Sequence, residues 1–209
     1  MEQTKKVYFI RHGESMYNAW RKQSIFNIQP FYPKDKEHSD PPLSEKGLQQ
    51  ANEVHKAIAI SKEFINANAL NQAVVYCSPL KRAIETAISI FQDGNIPIIA
   101  HPLLRERMDC IADAGTTTSL LQLQYKNVNF SHVPSFYWAS SEKLAYTVIK
   151  EKNQSVKQRI SEFIKIIKED KHALIYVVGH SNFHAIWAKR LIKLNNCEVQ
   201  LIDSKLYNA

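Results

Sequence analysis

The 209-residue chain is 44% hydrophobic and carries a formal charge of +7. That composition supplies one packed core and argues against general disorder. The cysteines, Cys77, Cys110 and Cys197, are odd in number and widely scattered, which argues against a disulfide framework and fits a reducing compartment.

The first element is the most informative. Val7-Tyr8-Phe9-Ile10 runs straight into Arg11-His12-Gly13. Four β-prone apolar residues in a row read as a buried strand of a parallel sheet. Arg11 and His12 then stand at the carboxyl end of that strand, where open α/β sheets place their ligands. Gly13 permits a sharp turn, and Ser15 is an N-cap for a short helix. A guanidinium, an imidazole and a helix start at one point suit an anion such as phosphate.

Residues 19–42 are expected to be irregular. Pro30, Pro33, Pro41 and Pro42 and the pair Phe31-Tyr32 oppose a regular helix. Ser44 caps the next element, a helix to about Asn66 with Leu48, Ala51, Val54, His55 and Ile58 at helical spacing. Ala73–Cys77 is the second strand. Ser78 as cap and Pro79 at the first helical position open a helix through Arg82 and Ile90, ended by Gly94. Ile96–Ala100 is a short third strand.

The polar stretch from Asp109 to Thr118 reads as a solvated loop, with substrate contact by Asp109, Asp113 and Thr116-Thr117-Thr118 the alternative. Ser119 opens a short helix to Tyr125, and the aromatic segment Phe130–Trp138 reads as a loop whose rings join the core. Helices are expected over about Ser141–Ile149 and Ser155–Glu169. Ala173–Val178 is the clearest strand of the chain and leads into Gly179-His180-Ser181-Asn182. A helix then runs to about Leu194, and Glu198–Ile202 makes a last strand. Alternation of strands and helices predicts an α/β three-layer sandwich, a mostly parallel sheet with helices on both faces.

Three strand ends share a character. Arg11-His12, Ser78 to Arg82 and Gly179-His180 each follow a strand. In neighbouring parallel strands these ends meet at one edge. Two histidines and two arginines then face one pocket, with Glu106 on a following loop.

These motifs resemble the histidine phosphatase superfamily, the phosphoglycerate mutase-like family, in its phosphatase branch. The resemblance rests on Arg11 to Ser15 with Asn18; on Asp40, Pro42, Leu43, Ser44, Gly47, Gln50 and Ala51; on Ser78 to Ala87; on Leu104-Arg105-Glu106; and on Val178 to Asn182. It implies a phosphoglycerate mutase-like fold over the whole chain, 1–209, as a single domain. Lid or insert segments are expected at about 19–40 and 107–140.

The resemblance also implies roles. His12 takes the phosphoryl group as nucleophile. Arg11, Arg82 and His180 hold the phosphate oxygens, with Asn18 as a further contact. Glu106 gives a proton to the leaving oxygen, which requires that burial or a nearby carboxyl raise its pKa. The scheme calls for no metal and no cofactor. The expected activity is phosphomonoester hydrolysis on a small phosphorylated substrate, with a phosphoprotein also open. Two alternatives stand beside it, a phosphoglycerate mutase-type phosphotransferase and a non-catalytic phosphate-recognition module. Arg107-Met108-Asp109-Cys110 after the acid departs from the mutase pattern of Arg-His-Tyr-Gly.

Other residues are read more plainly. His180 and His184 have metal-ligand spacing, but no Cys-x-x-Cys or His-Glu-x-x-His accompanies them, so His184 is taken as a packing residue. Glu14 supports the loop, and Cys110 is a spectator thiol. The lysines are spread over the whole chain, a solvated basic surface that favours anions in general and no specific nucleic acid. The apolar run after Met1–Lys6 is too short for a signal-peptide core, and no run reaches membrane-spanning length. A cytoplasmic protein without membrane attachment is therefore expected.

Overall fold

The computed structural model describes residues 5–26, 38–139, 144 and 147–205. Six strands form one sheet: β1 (Lys6–Arg11), β2 (Ala73–Cys77), β3 (Ile98–Ala100), β4 (Val128–Asn129), β5 (Leu174–Gly179) and β6 (Val199–Leu201). Their order is β4-β3-β2-β5-β1-β6. All neighbours run parallel except β6, which returns antiparallel to β1 at the sheet edge. The expected α/β architecture is therefore present.

The central trio explains why three sequence motifs meet. β5 lies between β1 and β2, with Arg11 opposite Gly179 and Cys77 opposite Val178. The carboxyl ends of the three strands therefore finish level with one another. β5 is buried at every position, as its unbroken apolar run requires of a strand covered on both faces.

Alternate side chains of these strands feed two separate cores. Ile10, Val75, Cys77, Tyr176 and Val178 pack with Ala51, Ile58, Phe64, Ala83, Ile84 and Ala87 on one face. Those partners come from α2 (Glu45–Ala59), α3 (Lys62–Ala69) and α4 (Lys81–Ile90). Phe9, Val74, Tyr76, Ile175 and Val177 pack on the other face with Val156, Ile160, Phe163, Phe183 and Trp187. These belong to α6 (Asn153–Glu169) and α7 (Ser181–Trp187). The period-two alternation of strand side chains thus yields the three layers.

Several boundaries differ from the sequence reading. Residues 16–26 form helix α1 (Met16–Phe26), so the expected irregular stretch 19–42 begins as helix. Ser15 caps it: its Oγ accepts from Asn18 N at 3.2 Å, and its own N–H donates to Asn18 Oδ1 at 3.4 Å. The prolines of the segment all lie beyond Phe26, and half of the expected segment 19–40, residues 27–37, falls outside the described residues. The single helix expected from Ser44 is two, because Ser61 leaves the helix and caps α3 by accepting from Phe64 N.

Ser78 does not cap α4. Leu80 stands at the cap, and Pro79 lies before the helix. The last helix stops at Trp187 rather than about Leu194. Lys189 adopts φ 52°, and the N–H of Arg190 donates to Ala185 O at 2.9 Å. This is a Schellman closure with lysine where glycine is usual. The helix expected over 141–149 lies mostly outside the described residues, and 147–150 are not helical. Residues 107–139 contain a 3₁₀ turn (Ile111–Asp113), the short helix α5 (Thr118–Gln124) and β4. Phe130, Tyr137 and Trp138 are buried in the core there.

The loop after β1 is pressed onto the start of α2. A Cβ on Gly13 would lie 2.6 Å from Gly47 O, and one on Gly47 would lie 2.1 Å from Glu14 O. Only glycine fits at either position. Ser44 N–H donates to Glu14 O at 2.8 Å and seals the contact. Asp40, at φ 44°, accepts from Lys81 N at 2.8 Å and Thr116 N at 3.0 Å. It thereby ties the first turn of α4 to the loop beyond the 3₁₀ turn.

Among the described residues no helix is long and apolar enough to cross a membrane. Cys77, Cys110 and Cys197 are free thiols.

Candidate active site

A cleft of about 300 Å³ opens at the level strand ends, with Arg11, His12, Asn18, Arg82, Glu106 and Asp113 among its lining residues. Five of the six expected site residues line it. The sixth, His180, is fully buried, with its ring centroid 5.1 Å from that of His12.

His12 is placed by the turn that follows β1. Its Nδ1 lies 2.6 Å from Gly13 O. A carbonyl only accepts, so Nδ1 carries the proton and Nε2 carries the lone pair. Burial first, then the charges of Arg82 and Arg11, hold the His12 pKa well below 6.5. The ring is a neutral imidazole.

His180 sits at the N-cap of α7. Its Nε2 is 2.8 Å from Ser78 Oγ, and Ser78 Oγ also accepts from Leu80 N at 3.3 Å. A serine hydroxyl can donate or accept here; in the tautomer with the imidazole proton on Nδ1, Ser78 donates to Nε2 and the Nδ1–H is left for a ligand. Nδ1 is buried with no partner among the described residues. Burial, then Arg82 and His12, keep this ring neutral as well. Ser78, taken from sequence as a helix cap, is instead the partner of a site histidine.

The two arginines are held differently. Arg11 Nη1 donates to Leu194 O at 2.6 Å, while its Nε is buried and unpartnered among the described residues. Arg82 Nη1 donates to Ala112 O at 2.7 Å, and its Nη2 pairs with Asp113 Oδ1 at 3.0 Å. Each keeps further N–H groups for a ligand. Asn18 lies on the cleft wall, with its Oδ1 engaged by Ser15 N.

Glu106 reaches the cleft from the loop after β3. Its Oε1 accepts from Arg107 N at 2.8 Å and Phe183 N at 3.2 Å, and its Oε2 accepts from Asn182 N at 3.3 Å. The carboxyl thus caps the start of α7. Burial, reinforced by the negative charge of Asp113, raises its pKa from 4.5 to about 7. These outweigh the opposing N–H groups and Arg82. Oε2 has the weaker contact and is the oxygen free to bear a proton.

The loop carrying Glu106 is fixed from behind. Arg159 Nη1 donates to the carbonyls of Leu103 and Arg105 at 2.6 and 3.0 Å. Its Nε and Nη2 grip both oxygens of Glu151.

Two aspartates depart from the solvated-loop expectation. Asp113 is buried against Arg82. Asp109 lines the cleft, paired with Arg107. His184 is a packing residue as expected, its ring 4.7 Å from that of Phe9. Glu14 is buried and bonded to Ser44 and Lys22, in support of the loop.

Comparison with known proteins agrees with this geometry. The model of the histidine phosphatase superfamily (branch 1) matches residues 7–206. An adenosylcobalamin/α-ribazole phosphatase of Escherichia coli is 26% identical over 188 residues, covering 90% of this chain and 79% of that protein. A 2,3-bisphosphoglycerate-dependent phosphoglycerate mutase of Parvibaculum lavamentivorans is 32% identical over 104 residues, 48% of this chain and 40% of that protein. The solved structure of Bacillus stearothermophilus YhfR superposes with a TM-score of 0.60 at 21% identity, covering 96% of this chain and 91% of that one. The chain belongs to the histidine phosphatase superfamily, branch 1.

Proposed function

We propose that the protein is a phosphomonoesterase that works through a phosphohistidine on His12, within a single domain. The observation that carries this reading is the arrangement around one imidazole. The Nδ1 proton of His12 is held by Gly13 O, which leaves Nε2 as a lone pair in a cleft shared with Arg11, Arg82 and Glu106.

The chemistry follows from those groups. A phosphomonoester dianion repels a charged nucleophile, and a neutral imidazole avoids that repulsion. Arg11 and Arg82 neutralise the dianion with planar donors. Nδ1–H of His180 and Asn18 supply further contacts to its oxygens.

Nε2 of His12 attacks phosphorus as the ester P–O bond breaks. The proton on Glu106 moves to the leaving oxygen, so an alcohol departs rather than an alkoxide. Such acid catalysis is worth roughly 10²–10⁴-fold. Water then attacks phosphorus and gives its proton to the Glu106 carboxylate. The P–N bond breaks, and inorganic phosphate leaves a neutral His12.

A cleft of about 300 Å³ suits a small phosphorylated molecule. Free cysteines support a cytoplasmic setting. The test is hydrolysis of p-nitrophenyl phosphate in EDTA by wild type and His12→Ala, with quenched samples assayed for acid-labile protein-bound phosphate. Turnover and labelling in the wild type, both absent in the variant, are expected. Equal turnover by both proteins overturns the assignment. A label that survives for minutes and needs a bisphosphate primer indicates a mutase instead. Phosphate binding without turnover on a broad ester panel indicates a recognition module.

A further inference from the structure

Asp113 is a buried carboxylate of the cleft that the reaction above does not use. It closes the 3₁₀ turn. Its Oδ1 takes Arg82 Nη2, and its Oδ2 accepts from the N–H groups of Asp109 and Cys110 at 3.1 and 3.2 Å. Cys110 Sγ lies 3.6 Å from the same oxygen. The side chains of Arg82 and Asp113 are only 5% and 9% exposed. A buried pair of this kind is weak evidence for stability, because desolvation offsets the attraction. Asp113 lines the cleft together with Arg82 and Glu106, which calls for a role in the chemistry.

We infer that Asp113 is a positioning residue with two targets: it aims Arg82 at the phosphate, and its negative charge keeps the proton on Glu106 until the leaving oxygen takes it. The second target rests on the reading of Glu106 as the acid.

The first target is geometric. Arg82 Nη1 and Nη2 are pinned by Ala112 O and Asp113 Oδ1, adjacent residues of one turn. The guanidinium plane is thereby fixed before any ligand arrives, which reduces the entropy lost on binding phosphate.

The second target is electrostatic, and every neighbour of Glu106 enters it. Arg82 from α4, Arg11 from the end of β1, Arg107 beside it in the chain and the N–H groups of Asn182 and Phe183 all favour the carboxylate. His12 and His180 are neutral. Asp109, the other carboxylate on the wall, has its charge matched by Arg107 Nε at 3.1 Å. Asp113 is the like charge that joins burial in opposing ionisation. Removing it leaves burial alone against the cations, so Glu106 loses its proton at lower pH.

The experiment compares wild type, Asp113→Asn and Asp113→Glu on p-nitrophenyl phosphate and on glycerol 2-phosphate across pH 5–9. A nitrophenolate leaves without acid help, whereas an alkoxide does not. At pH 8–9 Asp113→Asn is expected to lose up to about 10-fold more on the alkyl ester than on the aryl one, the factor that one pH unit gives. The basic limb of its pH profile is expected to move about one pH unit to the acid side. Asp113→Glu keeps the charge but shifts Arg82, so it is expected to slow both substrates alike with the limb in place.

Equal losses on both esters with an unmoved limb in Asp113→Asn overturn the inference and leave Asp113 a structural support. Circular dichroism checks the fold of each variant. Should Asp113→Asn not fold, Asp113→Glu decides: a retained limb supports the inference and a shifted limb refutes it. Wild-type turnover by His12→Ala would remove the underlying reading. An inactive His12→Ala alongside Asp113 variants with unchanged limb and leaving-group preference would sink this inference alone.

Discussion

Replacing Glu106 by Gln separates the chemical work of this residue from its thermodynamic cost. The native carboxyl has its pKa raised from 4.5 to about 7 by burial and Asp113. Between those two pH values the unfolded chain gives up a proton that the folded chain retains. A group raised in this way contributes stability that is fully present below 4.5 and lost as pH rises through about 7. Each pH unit in that interval is worth about 1.4 kcal/mol, so the total is about 3 kcal/mol.

Glutamine cannot ionise and is free of that loss. Its Oε1 can keep the N–H groups of Arg107 and Phe183, which leaves its amide nitrogen near Asn182 N at a cost of roughly 1 kcal/mol. That cost does not vary with pH and cancels in a comparison. The stability of Glu106→Gln relative to wild type should therefore rise by about 3 kcal/mol from pH 4.5 to pH 8. For a chain of this size that is a relative gain of about 6–12 °C in Tm. Urea denaturation at several pH values reads the difference directly. Alkyl phosphate turnover should fall about 10²–10⁴-fold in the same variant. A stability difference that stays flat with pH would show that Glu106 is an ordinary carboxylate, and its assignment as the acid would fall with it.

Two further perturbations test the support of the site. Ser78→Ala leaves Nε2 of His180 without its donor and releases the ring to the other tautomer. A loss of about 10- to 100-fold in kcat/KM is expected, and the double variant with His180→Ala should be no worse than His180→Ala alone. Arg159→Ala leaves Glu151 with Arg105 as its remaining side-chain partner and frees the carbonyls of Leu103 and Arg105. A destabilisation of about 3 kcal/mol by urea titration is expected. Arg159→Lys should rescue little of it, because four hydrogen bonds from one planar fork cannot be made by an ammonium.

The strand ends were legible in the sequence because each pairs a buried apolar run with a polar residue that the run cannot hide. Arg11, His12 and His180 stand out for that reason. Those ends raised the expectation that the three strands are neighbours; their order, β2-β5-β1, comes from the structure. What escaped is what depends on contacts distant in sequence. Asp113 looks like any polar loop residue until Arg82, thirty-one positions earlier, comes up beside it. Ser78 has the local signature of a helix cap, and its role appears only with His180 opposite at 102 positions' separation. The end of α7 was misplaced because Lys189 occupies a left-handed position that sequence rules reserve for glycine or asparagine. The start of α1 was legible in Ser15, but its run to Phe26 was not, because prolines lying beyond its end coloured the whole segment.

The neutral histidines of the cleft make a last demand on the electrostatics. Arg11 and Arg82 help to hold His12 and His180 well below their ordinary pKa. A bound dianion cancels those positive charges and adds an acceptor for Nδ1 of His180, so each imidazole should gain basicity. By linkage, binding must then draw protons from solution. Sulfate is a suitable probe because it stays a dianion throughout the working range. At pH 6 Glu106 is already about nine-tenths protonated given its pKa of about 7, so it can contribute only about a tenth of a proton. Calorimetry of sulfate binding in buffers of different ionisation enthalpy should show uptake that grows as pH falls, and His180→Gln should reduce it. Uptake that is the same in His180→Gln and in the wild type would mean that His180 takes no proton when the dianion binds, and the coupling argued here between the guanidinium charges and that ring would fall.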